Sequence, residues 1–202
     1  IIVILLIPLY MIQSLIEERQ TYRNEAVKEV SKGWADNQLI SGPVLSVVCS
    51  QENIDKDGKI FTKRTKTHLL PETLNYDVEL IPEKRYRGIY EVILYRAKIK
   101  MDGVFNTAEL NKAISDKKLD ESFVSFNLSD LRGMQKDSHL KWNESDHNLI
   151  AGLLSHNVLN NGFHSLVPIS ESNNQYKFEI ELLINGLDNL EFLPMGKTTN
   201  VK

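Results

Sequence analysis

The chain has almost no cysteine: Cys49 is the single one in 202 residues, so no intrachain disulfide can staple the fold. That thiol lies in the apolar run Val44-Leu45-Ser46-Val47-Val48-Cys49 and reads as a small buried hydrophobe. A lipid-attachment role is excluded, because Val48 stands where a small residue is required and the apolar leader ends far upstream. Excess positive charge is also missing. The formal net charge is −3, all of it carried beyond residue 16, which leaves no electrostatic footprint for nucleic acid. Lys63, Arg64 and Lys66 do cluster, but Thr62, Thr65 and Thr67 interleave them as on the wet face of a strand.

Motifs that carry chemistry are lacking too. There is no G-x-S-x-G elbow, no phosphate-binding glycine loop and no dinucleotide fingerprint. His68, His139, His147, His156 and His164 fall at no zinc-ligand spacing. Asn53-x-Asp55-x-Asp57-Gly58 opens like a calcium loop, but the bidentate carboxylate needed at position twelve is replaced by Arg64. A hairpin turn is the expectation there. The expected protein is not an enzyme, and it needs no metal and no cofactor to fold.

What is present begins with Ile1 to Ile16, a run without any charge that ends at Glu17, Glu18 and Arg19. Sixteen residues cover ~24 Å as a helix, against a hydrocarbon core of ~30 Å. With no initiator Met and no basic stretch ahead, the run is expected to be the C-terminal part of a membrane-spanning helix. A cleaved leader and a buried core helix compete with this reading, but no small-x-small cleavage site follows the run. Ile12, Leu15, Ile16, Arg19, Tyr22, Ala26, Val27, Val30 and Trp34 then continue a 3.6-residue stripe. An amphipathic juxtamembrane helix is therefore expected over 17–35, with Gly33 or Asp36-Asn37 as its stop.

Beyond Ser41-Gly42-Pro43 the period falls towards two. Strands are expected at Val44–Val48, Lys59–Leu70, Asn75–Ile81, Gly88–Met101, around Val124, Phe126 and Leu128, at Tyr176–Ile184 and at Leu190–Leu193. A short helix is expected from Thr107, as its cap, to Leu119, with Leu110, Ile114 and Ala113 facing inward. The stretch from Lys136 to Asn174 reads as mostly loop. The fold class is α+β: a β-rich, mostly antiparallel domain over 36–202, carried on an N-terminal helix.

The densest chemistry lies around two Pro-Glu pairs, Pro71-Glu72 and Pro82-Glu83, and the block Lys84-Arg85-Tyr86-Arg87-Gly88-Ile89-Tyr90-Glu91. Glu72, Glu83, Arg85, Arg87, Gly88, Tyr90 and Glu91 are the candidate interaction residues. They would form either a partner or anionic-ligand surface, or a structural set in which Arg85 and Arg87 pair with Glu72, Glu83 or Glu91. In the structural set Gly88 would permit a bulge or a close backbone approach.

LIEERQTYRNEAV (Leu15 to Val27), SGPVLSV (Ser41 to Val47), LLPETL (Leu69 to Leu74), PEKRYRGIYEVILYRAKI (Pro82 to Ile99), DLRGM (Asp130 to Met134) and LEFLPMGKTTNV (Leu190 to Val201) resemble the CreD family. These are inner-membrane proteins of Gram-negative bacteria, named for cell envelope integrity. The resemblance implies one N-terminal transmembrane helix, a periplasmic domain and further transmembrane helices, and hence a chain cut at both ends with an incomplete domain. Its implied place is the inner membrane, with residues after about 17 in the periplasm. The implied partners are the lipid bilayer and another envelope protein or component, with no nucleic acid. The family supplies no catalytic residues. The expected function is a membrane-anchored envelope integrity or stress protein with a binding or scaffolding domain; the alternatives are a transporter or channel, or an envelope hydrolase whose site is assembled from loops.

Overall fold

The computed structural model describes residues 2–32, 34–135 and 138–202, with side chains described from residue 8 onward. The proposed stop at Gly33 therefore lies outside the described residues, as do Ile1 and the side chains of 2–7. Helix α1 runs unbroken over Ile2–Ser31 and carries Pro8 within it. Among the described residues, no helix is long and apolar enough to cross a membrane.

The strands that follow are β1 (Gln38–Ile54), β2 (Ile60–Leu69), β3 (Thr73–Arg87) and β4 (Tyr90–Asn106). Helix α2 (Ala108–Ile114) precedes β5 (Lys118–Leu128), and a 3-10 turn covers Leu131–Gly133. Short strands come next: β6 (His139–Trp142), β7 (Ser145–Asn148), β8 (Ile150–Ala151) and β9 (Phe163–Leu166). The chain closes with β10 (Gln175–Leu187), β11 (Leu190–Leu193) and β12 (Thr198–Val201). One sheet has the order β11-β1-β5-β9-β8, with β2 also on β1, and the other has the order β12-β3-β4-β10-β6-β7. Pairing is antiparallel except for β11 on β1 and β12 on β3.

The two sheets face each other across one apolar core. Leu45 and Val47 of β1, with Val124, Phe126 and Leu128 of β5, meet Tyr76 of β3, Ile99 and Met101 of β4, and Ile180, Leu182 and Ile184 of β10. These are the period-two positions of their strands, so alternation alone puts one face of each sheet indoors. Tyr76 also bonds across the sandwich, its hydroxyl donating to the Gly42 carbonyl at 2.9 Å. Burial pushes that phenol up to about 12, so it remains a donor throughout the accessible pH range.

Several expectations need correction. The strand expected to end at Ile81 does not stop before Pro82: β3 passes straight through it, pairing Pro82 with Tyr95. β12 pairs only as far as Tyr76, so Pro82 lies on a free strand edge where its missing N–H costs nothing. The helix expected from Thr107 to Leu119 ends at Ile114, and Leu119 lies in β5 instead. The Thr107 side chain makes no capping bond; its Oγ1 donates to the Asn173 carbonyl at 3.0 Å. Ala113 is exposed and Asn111 is buried in its place, donating to the carbonyls of Glu171 and Asn173. The stretch expected to be mostly loop holds four short strands, and its Leu140, Trp142 and Phe163 belong to the core. The Asp55–Gly58 turn does form, with Asp55 Oδ1 accepting from the N–H groups of Asp57 and Lys59.

At Gly103 β4 has no room for a side chain. A Cβ there would sit 2.0 Å from the Thr73 carbonyl oxygen and 2.8 Å from the Phe178 ring. Gly103→Ala must push the strands apart, and is expected to lower stability by about 2–3 kcal/mol. Denaturant melts of the two proteins check this.

Candidate interaction site at the helix–hairpin joint

The β3–β4 hairpin outruns the opposite sheet at its far end. Its core-side residues there, Leu80, Ile93 and Tyr86, are exposed, as is Ile89 in the turn. The opposite face is the covered one. Val92, Leu94 and Leu187 of β10 are buried and form a second apolar cluster with Val27, Val30 and Trp34 from the end of α1 and its exit. Only the last third of the helix stripe is thus used, since Ile12, Leu15, Ile16 and Tyr22 are exposed.

The charged residues of the hairpin arrange themselves around this contact. Arg85 pairs with Glu83 at 3.1 Å, and the Arg96 guanidinium reaches the other oxygen of Glu83 at 3.5 Å. The same two guanidinium groups lie over the Trp34 ring, 4.8 and 5.6 Å from its centroid. The indole N–H donates to the Tyr95 carbonyl at 3.4 Å. Arg87 grips Glu29 of α1 in a two-pronged ion pair, with Nε to Oε2 at 2.8 Å. On the opposite face Lys84 bonds Glu91 at 2.7 Å, and the Tyr86 hydroxyl donates to the same carboxylate at 3.1 Å. Those bonds, Lys84 foremost, hold the Glu91 carboxyl below its ordinary value.

Most of the candidate residues are therefore brought together, but not all. Glu83, Arg85, Arg87, Gly88, Tyr90 and Glu91 share the hairpin. Glu72 lies at the opposite end of β3, where its backbone joins Val104 and Thr198. Gly88 makes neither a bulge nor a close approach: no atom lies within 4 Å of a Cβ built there. It is the first residue of a two-residue loop, with φ +59°, a position that favours glycine in a type II′ turn. The sequence reading missed Glu29 as the partner of Arg87 and Arg96 as a partner of Trp34. Trp34 itself was legible as the last position of the helical stripe.

A second set of bonds fixes where the chain leaves the helix. Gln38 is buried, and its Nε2 donates to the carbonyls of Asp130 and Asn185 while Oε1 accepts from Ser129 and the Asp130 N–H. Asp130 accepts from the Asp36 N–H at 3.0 Å and from the Arg132 side chain at 2.6 Å. The Arg132 side-chain bonds foremost, with the Asp36 N–H, outweigh the opposing effect of burial and bring the Asp130 carboxyl down to about 2 from its ordinary 3.8. Gly133 fits beneath, where a Cβ would strike the Asn185 carbonyl at 2.4 Å and Gln38 Nε2 at 2.6 Å.

One contact resembles a catalytic pair, and no sequence spacing signalled it. Ser46 Oγ lies 2.8 Å from His68 Nδ1, because the two residues face each other across β1 and β2. Ser46 is only 2% exposed, and His68 Nε2 is buried without a partner. Burial holds His68 below its ordinary value.

Two outcomes follow. Trp34→Ala is expected to cost about 3 kcal/mol through lost packing, whereas Arg87→Ala removes an exposed pair worth about 0.2–1 kcal/mol; thermal melts of both variants give the comparison. Asp130 is held below its unfolded value, so its contribution is present above about pH 4 and is lost as pH falls through about 2. Asp130→Asn should therefore flatten the acid limb of a stability-versus-pH curve in that window.

A family model described as inner membrane protein CreD matches residues 1–202. Inner membrane protein CreD of Escherichia coli (strain K12) is 25% identical over 137 residues, which is 66% of this chain and 30% of that protein. The chain thus covers less than a third of that relative's length, and no solved structure matches it. Sequence blocks at the hairpin, the Asp130–Met134 turn and the helix all fall within the matched range, and the chain belongs to the CreD family of inner membrane proteins.

Proposed function

We propose that this chain is the anchored, periplasmic part of an envelope protein that binds or scaffolds other envelope components and catalyses no reaction. One observation carries the reading: helix α1 joins its apolar run to the sandwich with no slack between them. Three apolar side chains, a cation–π stack and an ion pair fix the helix to the β3–β4 hairpin. Such a joint suits a rigid arm that presents a domain at a set height above a bilayer, with its charge-free end inserted. The role in envelope integrity follows from the family resemblance. The Ser46–His68 pair does not favour a hydrolase, since a serine sealed from solvent cannot meet a substrate.

The test has two arms. A reporter active only outside the cytoplasm, fused after Trp34 in a protein with its native N-terminus, should be active and sediment with membranes. Release into the soluble periplasm would defeat the anchored reading. Ser46→Ala should leave envelope resistance in cells unchanged, whereas its loss with normal folding would bring catalysis back.

A further inference from the structure

The β3–β4 hairpin and helix α1 lie along each other in a defined direction. Trp34 sits at Tyr95 and Arg96, and Glu29 sits at Arg87. Tyr22, Glu25 and Ala26 share a groove with Arg87, Gly88, Ile89 and Tyr90. Moving towards the N-terminus of α1 is therefore moving towards the hairpin tip. From Tyr22 back to Ile16, the last residue of the apolar run, is ~9 Å along the helix. The polar layer on each side of a bilayer is ~5–7 Å deep, and a modest helix tilt shortens the gap further.

The tip is chemically suited to that depth. Ile89 is 78% exposed and Tyr86, on the face away from α1, is 66% exposed; Tyr22, which shares the helix-side groove with Ile89, is exposed too. Membrane–water interfaces are enriched in tyrosine, and an exposed aliphatic side chain gains by leaving water. The charges of Arg87 and Lys84 beside the tip are already matched by Glu29 and Glu91, so lowering the tip into headgroups leaves neither of these two cations bare.

We propose that the β3–β4 hairpin tip, led by Ile89 with Tyr86, rests in the headgroup layer of the membrane as a second contact beside helix α1. This rests on the anchored reading above. Two contacts on one face fix the tilt of the domain as well as its height. The other apolar tip provides a contrast within the same molecule. Gln38 bonds at Asn185, opposite Arg96, while Gly42 bonds Tyr76, opposite Met101. Strand β1 therefore runs with β4, away from Ile89. Its end at Ile54, 71% exposed, lies ~40 Å further along the strand from Gly42.

The experiment places an environment-sensitive NBD label at single introduced cysteines in the intact membrane protein, reconstituted in phosphatidylcholine vesicles; Cys49 is buried and stays unlabelled. Ile89→Cys should give blue-shifted emission, quenched by lipids carrying a nitroxide near the headgroup. Ile54→Cys should report water and ignore the quencher. Ile12→Cys, on the apolar run, reports the anchor itself. A label at 89 as wet as the one at 54, with position 12 quenched, would overturn the tip contact and leave the anchor standing. A wet label at position 12 as well would bring down both.

Discussion

A sheet that must be covered on opposite faces at its two ends governs the arrangement of this molecule. Along β4 the alternation of side chains never breaks, yet the buried set changes from Val92 and Leu94 to Tyr95, Ala97, Ile99 and Met101. The change occurs because the facing sheet covers only the later set. Near the hairpin the cover comes from the other side, through Val27, Val30 and Trp34. Burying each of the three sheet residues there contributes about 2 kcal/mol. That gain can be collected only if α1 lies along β4, so the helix axis is set by the sheet and not by a linker.

Turning from helix into sandwich creates a second demand. Backbone groups between Trp34 and Ile40 leave one regular element before joining the next, and buried ones need partners. Gln38 answers with its whole amide, two bonds given and two accepted, linking residues 129–130 to Asn185. Ser129 adds a bond to the Leu39 N–H and one to the Asn37 carbonyl. The 3-10 turn at Leu131–Gly133 closes this knot from below, and Gly133 is required because no side chain would fit there. The Asp130–Met134 block is thus the lock on the helix exit.

How much of this was legible depends on the range of each interaction. Alternation marked Tyr176 to Ile184 and the core-facing residues of β5, since one-sided burial writes a period of two into the chain. The same alternation would put Ile89 and Ile93 on the inward side with Ile99, but Ile89 lies in the turn and Ile93 extends past its cover. Four short strands between His139 and Leu166 escaped because none exceeds four residues, too few for a period to register. The candidate block was found through its composition, but its key partners were not. Glu29 and Arg87 are 58 positions apart, and Trp34 meets arginines from two strands. No local spacing encodes such pairs; only the hairpin register brings Arg85 and Arg96 onto the same face.

The joint and the core are separate sources of stability, and this bears on what the domain can transmit. The sandwich core draws on both sheets and on α2, and shares no residue with the cluster under α1. The joint rests first on the burial of Val92, Leu94 and Leu187 under α1, to which a cation–π stack adds about 0.5–1 kcal/mol at an exposed site and an exposed ion pair adds a little more. Units of unequal stability open separately. Because Gln38 and Asp130 hold the exit independently, loosening the clasp would let the helix pivot about residues 34–38 and leave the sheets intact. The same contacts that fix the helix to the hairpin thus set its angle to the sandwich.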